Sequence, residues 1–329
     1  SIWFSAVEGE AYSMSTMFTC MTLWAAVKWY YLPNEPKHDR WLIFSIYSAG
    51  LSVGVHLLSL LAFPTIAILY YYKKWPKVTF KGFVVSAIVG VAAVMLFQVL
   101  VVSGIPKLWS MFEMFCVNSL GLPFHTGLIP TLLFLAGIFY YGLNYAKKKG
   151  SDLIYKLVFT SMLIAISYTP VGVVLLRAMA NTPVNMNNPD DVVRLLPYLN
   201  REQYGDRSLL KGPHFDARPI DTKTEDRYGR KGNKYVVVDR KFDYVFAKKD
   251  EIFLPRISHS DQGRVQLHRM WMKYLTNRQE GKPDMLYNLK FLWSYQFGWM
   301  YWRYFYWNFV GRQNGDQGYF PWDKKDGHW

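Results

Sequence analysis

Two cysteines in 329 residues leave little room for disulfide or thiolate chemistry. Cys20 falls inside an apolar stretch and Cys116 in a mixed one, so no structural disulfide is expected. The seven histidines are scattered, none at a metal-ligand spacing, and no phosphate-binding glycine loop or nucleophile elbow occurs. Metal-dependent hydrolysis, P-loop nucleotide hydrolysis and elbow-type serine catalysis therefore have no basis in the sequence. Acids are scarce: 24 Asp and Glu stand against 38 Lys and Arg, a net charge of +14. The last 151 residues lack any long apolar run, whereas the first 178 are built from them.

Ten of the thirteen basic residues up to Ala178 fall in three short loops, 32–40, 73–81 and 147–156. Basic residues beside membrane spans stay on the cytoplasmic side, so these loops predict a polytopic α-helical membrane domain over 1–178. Six crossings are expected, at 12–31, 41–56, 58–72, 80–104, 124–146 and 152–178. The stretch 41–72 is too long for one span of ~20 residues. Splitting it near His56 keeps Lys73, Lys74, Lys77 and Lys81 inside. The mixed segment 105–123 reads as an interfacial helix on the outer leaflet.

Residues 179–329 read as a mixed α/β extracytoplasmic segment. Asn188-Pro189-Asp190-Asp191 has the form of a helix start. Residues 209–224 read as loop. Alternation over 235–238 and 242–246 predicts a short β-hairpin turning at Asp239-Arg240-Lys241, with 252–255 a possible third strand. Residues 285–310 read as an aromatic amphipathic helix on the bilayer surface or on the membrane domain. Up to Ala178 there are 13 basic and 6 acidic residues, and after it 25 and 18, a net +7 in each part. The second excess is spread without blocks, which suggests lipid phosphate and membrane lipids as partners and no nucleic acid. The chain opens and closes mid-pattern and reads as an internal piece of a longer protein.

Few residues on the outer face could carry chemistry. Glu8 and Glu10 precede the first span, where carboxylates either line a water-filled cavity or sit solvated at a helix start. His56, at the outward turn, is a candidate to meet them in one cavity, or else a packing residue bonded to backbone. Arg177, at the outer end of the sixth crossing, suits a lipid phosphate or simple snorkelling. Arg201 is a second phosphate candidate or a helix-surface residue. An enzyme acting on a lipid-linked substrate fits better than a transporter, which would show repeats and broken helices at mid-membrane. A non-catalytic scaffold with an outer partner-binding domain is the other alternative.

Five ordered segments resemble one family. They are Trp3–Ser15 (WFSAVEGEAYSMS), Gly50–Leu58 (GLSVGVHLL), Phe115–Pro123 (FCVNSLGLP), Tyr198–Arg207 (YLNREQYGDR) and Tyr301–Gln313 (YWRYFYWNFVGRQ). Together they resemble the protein O-mannosyltransferase-like membrane family, glycosyltransferase family 117, which is of GT-C type and abundant in Bacteroidota. The resemblance implies a multi-pass enzyme of the cytoplasmic membrane that uses a polyprenyl-phosphate sugar, expected to be mannose, and transfers it to a protein hydroxyl at the outer face. The residues themselves offer no metal site, and the one small-molecule partner the resemblance implies is that lipid-linked donor. Within the outer motifs, Asn200, Glu202, Tyr204 and Arg312 are candidates for acceptor contacts or outer-face structure. The family's catalytic Asp belongs to a Trp-Asp-Cys-Gly-Glu-Phe-like motif that this sequence lacks. That motif is expected upstream of Ser1, which leaves Glu8, Glu10 and His56 as residues lining the site and the chain inactive by itself.

Overall fold

The computed structural model describes residues 11–329 except 36, 181, 205–209, 216, 256–261, 279, 280 and 317. The chain forms two compact units. A helical unit holds residues 9–203 together with 228–238, and a mixed unit holds 204–227 and 239–329. The helical unit thus takes in 179–203 and the tip of a hairpin, beyond the 1–178 expected of a membrane domain.

In the helical unit, α1 (Ala11–Tyr31) runs beside α2 (Arg40–Ser52). Their contact is a seam of small polar residues, with Ser15, Thr22, Ser45 and Ser48 buried, and Ser59 of the following 3-10 turn is buried beside it. Ser45 Oγ donates to the Thr22 carbonyl at 2.8 Å, and Thr19 and Ser59 hydroxyls lie 3.0 Å apart. Small side chains let helix backbones approach closely where lipid offers no hydrophobic drive. The helix breaks at 53–56, where the sequence places an outward turn, and resumes as a 3-10 turn, Leu57–Ala62, leading into α3 (Phe63–Lys74).

Next comes α4, an unbroken 40-residue helix, Phe80–Ser119, about 60 Å long at 1.5 Å per residue. It continues through 105–119, so the segment expected as a separate interfacial helix is an extension of the preceding one. A π-helical turn at Gln98–Ser103 prepares for Pro106. The Val102 carbonyl, which Pro106 has no N–H to serve, accepts the Tyr168 hydroxyl at 2.9 Å. Where α4 passes α3, Gly90 meets the backbone of Pro64; a Cβ there would stand 2.3 Å from Pro64 Cα. Helices α5 (Leu128–Lys149) and α6 (Asp152–Met179) follow, joined at Gly150 in the left-handed region. By length and composition α4, α5 and α6 can each cross a membrane. The core packs Ala26, Leu60, Phe63, Phe97, Tyr168 and Val171.

The ends of these helices that carry the basic loops are tied together. Asp39 accepts from Lys156 Nζ (2.7 Å) and Trp29 Nε1 (3.1 Å), while Lys73 donates to the carbonyls of Trp29 and Leu32. Burial works against the Asp39 charge, but hydrogen bonds from Lys156 and Trp29 hold its carboxyl below the usual range.

After α6, helix α7 (Val192–Leu199) starts at Asp191, whose side chain caps the Arg194 N–H at 2.9 Å. The expected cap at Asn188 is displaced to Asp191, because residues 188–190 are irregular and the helix begins at Val192. Strands β2 (Pro219–Lys231) and β3 (Lys234–Phe246) form one long hairpin. Its turn is Gly232-Asn233 with φ +61 at Gly232, a two-residue turn with glycine in the first position. The turn expected at 239–241 lies mid-strand, and residues 219–224, expected as loop, are paired. Strand β1 (Lys211–Pro213) pairs antiparallel with β4 (Glu251–Phe253), not with the hairpin.

The core of the mixed unit gathers Phe215 with Trp271 and Met272 of α8 (Gln262–Thr276) and with Tyr287 and Phe291 of α9 (285–309). Helix α9 runs over 285–309 as α-helix, then a π-helical stretch Leu292–Tyr301, then α-helix again. His268 lies between the Phe215 ring (5.1 Å) and the Phe291 ring (4.9 Å). Burial, and then the Arg264 charge, push its pKa down to about 4.

Candidate functional site

The most organised polar group in the helical unit gathers where α4 ends, α5 begins, α7 begins and the hairpin turns. Glu113 is fully buried near the end of α4. Its carboxylate accepts the backbone N–H of His125 (2.5 Å) and of Gly127 (2.9 Å), the loop that opens α5. An acid on the exposed N–H groups of a helix start satisfies them and matches the dipole. Gly127 is needed for the approach, because a Cβ there would lie 2.3 Å from Glu113 Cα. His125, in the left-handed region at φ 72, turns the loop.

The two-residue turn of the hairpin sets Arg230 across from Tyr235. The Tyr235 hydroxyl donates to Glu113 Oε1 at 3.3 Å, and its backbone N–H and carbonyl both pair with the Asn118 side-chain amide at 2.9 Å. The Arg230 guanidinium packs over the Phe124 ring at 4.9 Å and reaches three partners. Nε lies 3.1 Å from Asp191 Oδ2, and one terminal nitrogen donates to the Asp190 carbonyl (3.0 Å) and to His125 Nε2 (3.1 Å). Arginine cannot accept, so His125 Nε2 is the acceptor and the ring proton sits on Nδ1. Burial raises the Tyr235 pKa, and the Asp191 and Glu113 charges add to this, so the phenol remains a donor. Most of these groups are hydrogen-bonded to one another, while Arg230 Nε and Asp191 Oδ2 face each other as an ion pair without hydrogen-bond geometry; the cluster anchors rather than reacts. It fixes the start of α7, while Ser103 Oγ donates to Asn200 Oδ1 at 2.8 Å and fixes its end.

The residues singled out in the sequence fall elsewhere. Glu8 and Glu10 lie outside the described residues. His56 caps the 3-10 turn, its Nδ1 accepting from the Leu58 N–H at 3.2 Å, with the Tyr12 ring 5.2 Å away. This is backbone bonding of the kind a packing residue makes, beside the first turns of α1. Arg177 stands exposed in the last turn of α6. Arg201, with φ 58, is exposed just past α7, next to Asn200 and the short 3-10 turn Glu202–Tyr204. Arg312 belongs to the mixed unit, over the Trp307 ring at 5.6 Å. The structure therefore places Arg177, Asn200, Arg201 and Glu202 in the helical unit with His56. Among the described residues no group of three or more His, Cys, Asp or Glu could hold a metal, and both cysteines are free.

Sequence reasoning did not join Glu113, Asn118, His125, Asp191, Arg230 and Tyr235. One signal was available: Glu113 and Asp152 are the only acids between Arg40 and Ala178, and an acid within an apolar helix needs a partner.

Helices of membrane-crossing length followed by a strand-containing part define a mainly α membrane protein. Residues 1–79 match the protein O-mannosyl-transferase TMEM260 N-terminal domain, and residues 205–293 match a family of unknown function, DUF8416. The N-terminal match agrees with the O-mannosyltransferase-like membrane family indicated by the motifs, and it covers Glu8, Glu10 and His56. The motifs at 115–123 and 301–313 lie outside both matches, and that at 198–207 overlaps the second only at its end. No curated protein and no solved structure matches the chain.

Proposed function

We propose that this chain is the membrane part, with an attached mixed unit, of a glycosyltransferase that moves a sugar from a polyprenyl phosphate to a protein hydroxyl at the outer membrane face. The observation that carries the reading is the O-mannosyltransferase match over residues 1–79, in a chain whose described residues include three helices able to cross a membrane. In this reading α1, α2 and α3 complete six crossings, the basic loops face the cytoplasm, and the segment after residue 178 is extracytoplasmic. Mannose is the sugar and a Ser or Thr of an acceptor protein takes it. A carboxylate deprotonates the acceptor hydroxyl while the lipid phosphate leaves from the opposite face of the sugar. Phosphate leaves readily, so cations that hold it matter more than a general acid.

Arg177 and Arg201 are assigned to the donor phosphate. Both are exposed, and both lie in the helical unit at or after the end of α6. Glu8, Glu10 and His56 are assigned to the lining of the site, and Asn200, Glu202, Tyr204 and Arg312 to acceptor contacts or outer-face structure. Replacing Arg177 with Gln in the full-length enzyme should raise the donor KM about tenfold, the worth of one charge-assisted hydrogen bond. Unchanged donor dependence would remove Arg177 from the site.

A further inference from the structure

Helix α9 is apolar on two opposite faces. One face, Tyr287, Phe291, Tyr295, Trp299 and Arg303, recurs every four residues and packs into the core of the mixed unit. The other is bare: Trp293 is 65% exposed, Tyr301 55%, Tyr304 68% and Phe309 60%. The π-helical stretch Leu292–Tyr301 carries Trp293, Phe297 and Tyr301 four apart, and the Trp293 and Phe297 rings stack at 5.1 Å. From Trp293 to Phe309 the stripe spans 17 residues, roughly 25 Å at about 1.5 Å each. A helix apolar all round is buried on both sides in its working state.

Charge is sparse along this helix. Lys290 is exposed, its Nζ donating to the Leu275 carbonyl at 3.2 Å. Arg303 is folded inward between the Trp299 and Trp307 rings, donating to the Gly318 carbonyl at 2.7 Å. The face that remains is Trp, Tyr and Phe, rings with an apolar body and a polar tip. That composition matches the headgroup level of a bilayer, not the aliphatic hydrocarbon layer. A bilayer is also at hand, because the described residues of the same chain include three helices that can cross one. We infer that the bare face of α9 seats in the headgroup layer of the membrane, making the mixed unit a membrane-surface unit and not one held clear in water. This does not depend on the glycosyltransferase reading.

The test uses full-length protein in phosphatidylcholine–phosphatidylglycerol vesicles. Single cysteines replace Trp293, Phe297, Tyr301 or Tyr304 after removal of Cys20 and Cys116, and each is labelled with an environment-sensitive fluorophore. Nitroxide placed high on the acyl chain should quench these labels at least twofold more than nitroxide at mid-chain. Aqueous iodide should quench them at least threefold less than a label at exposed Glu225. Iodide access equal to the control would put the stripe in water, stronger mid-chain quenching would make α9 a span, and protection from all three quenchers would mean that protein covers it. Each of these overturns the inference. Oxidative footprinting of the unsubstituted protein in the same vesicles guards against misfolded variants: Trp293 must be protected relative to exposed Trp322, and equal oxidation overturns the inference as well.

Discussion

Arg230, two residues before a hairpin turn, reaches the buried carboxylate of Asp191 with its Nε 3.1 Å from Oδ2. The pair joins the tip of the hairpin to the first turn of α7. Through Tyr235 and Glu113 the same hairpin tip is tied to α4 and to the start of α5. Four elements thus meet on polar groups as well as on the Phe124 ring. Breaking such a pair on one side is costly, because the partner charge stays behind without compensation.

Asp191→Asn isolates that cost, since Asn caps a helix as well as Asp. It should destabilise the helical unit by about 2–3 kcal/mol in detergent unfolding, with Arg230→Met comparable. The double variant should lose clearly less than the sum of the two, since neither charge is then left alone. Strict additivity would show that the two side chains do not act as a pair.

The pH dependence of the mixed unit should follow His268. Its folded pKa is about 4, below the ordinary 6.5, so folding favours the neutral ring. The unfolded chain then binds more protons between these values, and stability falls as pH drops from about 6.5 through about 4. The full loss is on the order of 3 kcal/mol. His268→Phe should flatten this part of the profile, read as urea midpoint against pH. A profile unchanged in slope would mean that the ring between Phe215 and Phe291 does not titrate upon unfolding.

Topology gives a third expectation. If 41–72 is a hairpin, a cysteine at position 77 should resist impermeant maleimide in intact spheroplasts, while one at 201 should react. Outside labelling at 77 would remove the hairpin and invert everything after it.

The helices were legible because apolar runs and lysine-rich loops are one-dimensional signals. The break between α2 and α3 follows from length, and Gly150 after Lys147–Lys149 marks a helix end. Two features were misread for local reasons. The mixed composition of 105–123 suggested a separate interfacial helix, yet the π-turn at 98–103 and the Tyr168 hydroxyl carry α4 past Pro106. The alternation of 235–246 suggested a short hairpin, whereas Gly232-Asn233 supplies the turn and pairs 219–231 with 234–246. The Glu113–Arg230 cluster was out of reach, because Asn118 and Tyr235 meet across 117 residues and no local pattern specifies that contact. The residues proposed for chemistry came from the motifs; the geometry adds the α7 anchor around Asn200 and Arg201, and the capping role of His56.

The most direct measurement is sugar transfer by the full-length protein in vesicles, supplied with radiolabelled polyprenyl-phosphate mannose and a Ser/Thr-bearing acceptor protein. The account predicts label on acceptor hydroxyls, with transfer that depends on the lipid-linked donor and is lost when a nucleotide sugar replaces it. Label arriving from the nucleotide sugar alone, or no transfer with an active-family control run in parallel, would contradict it.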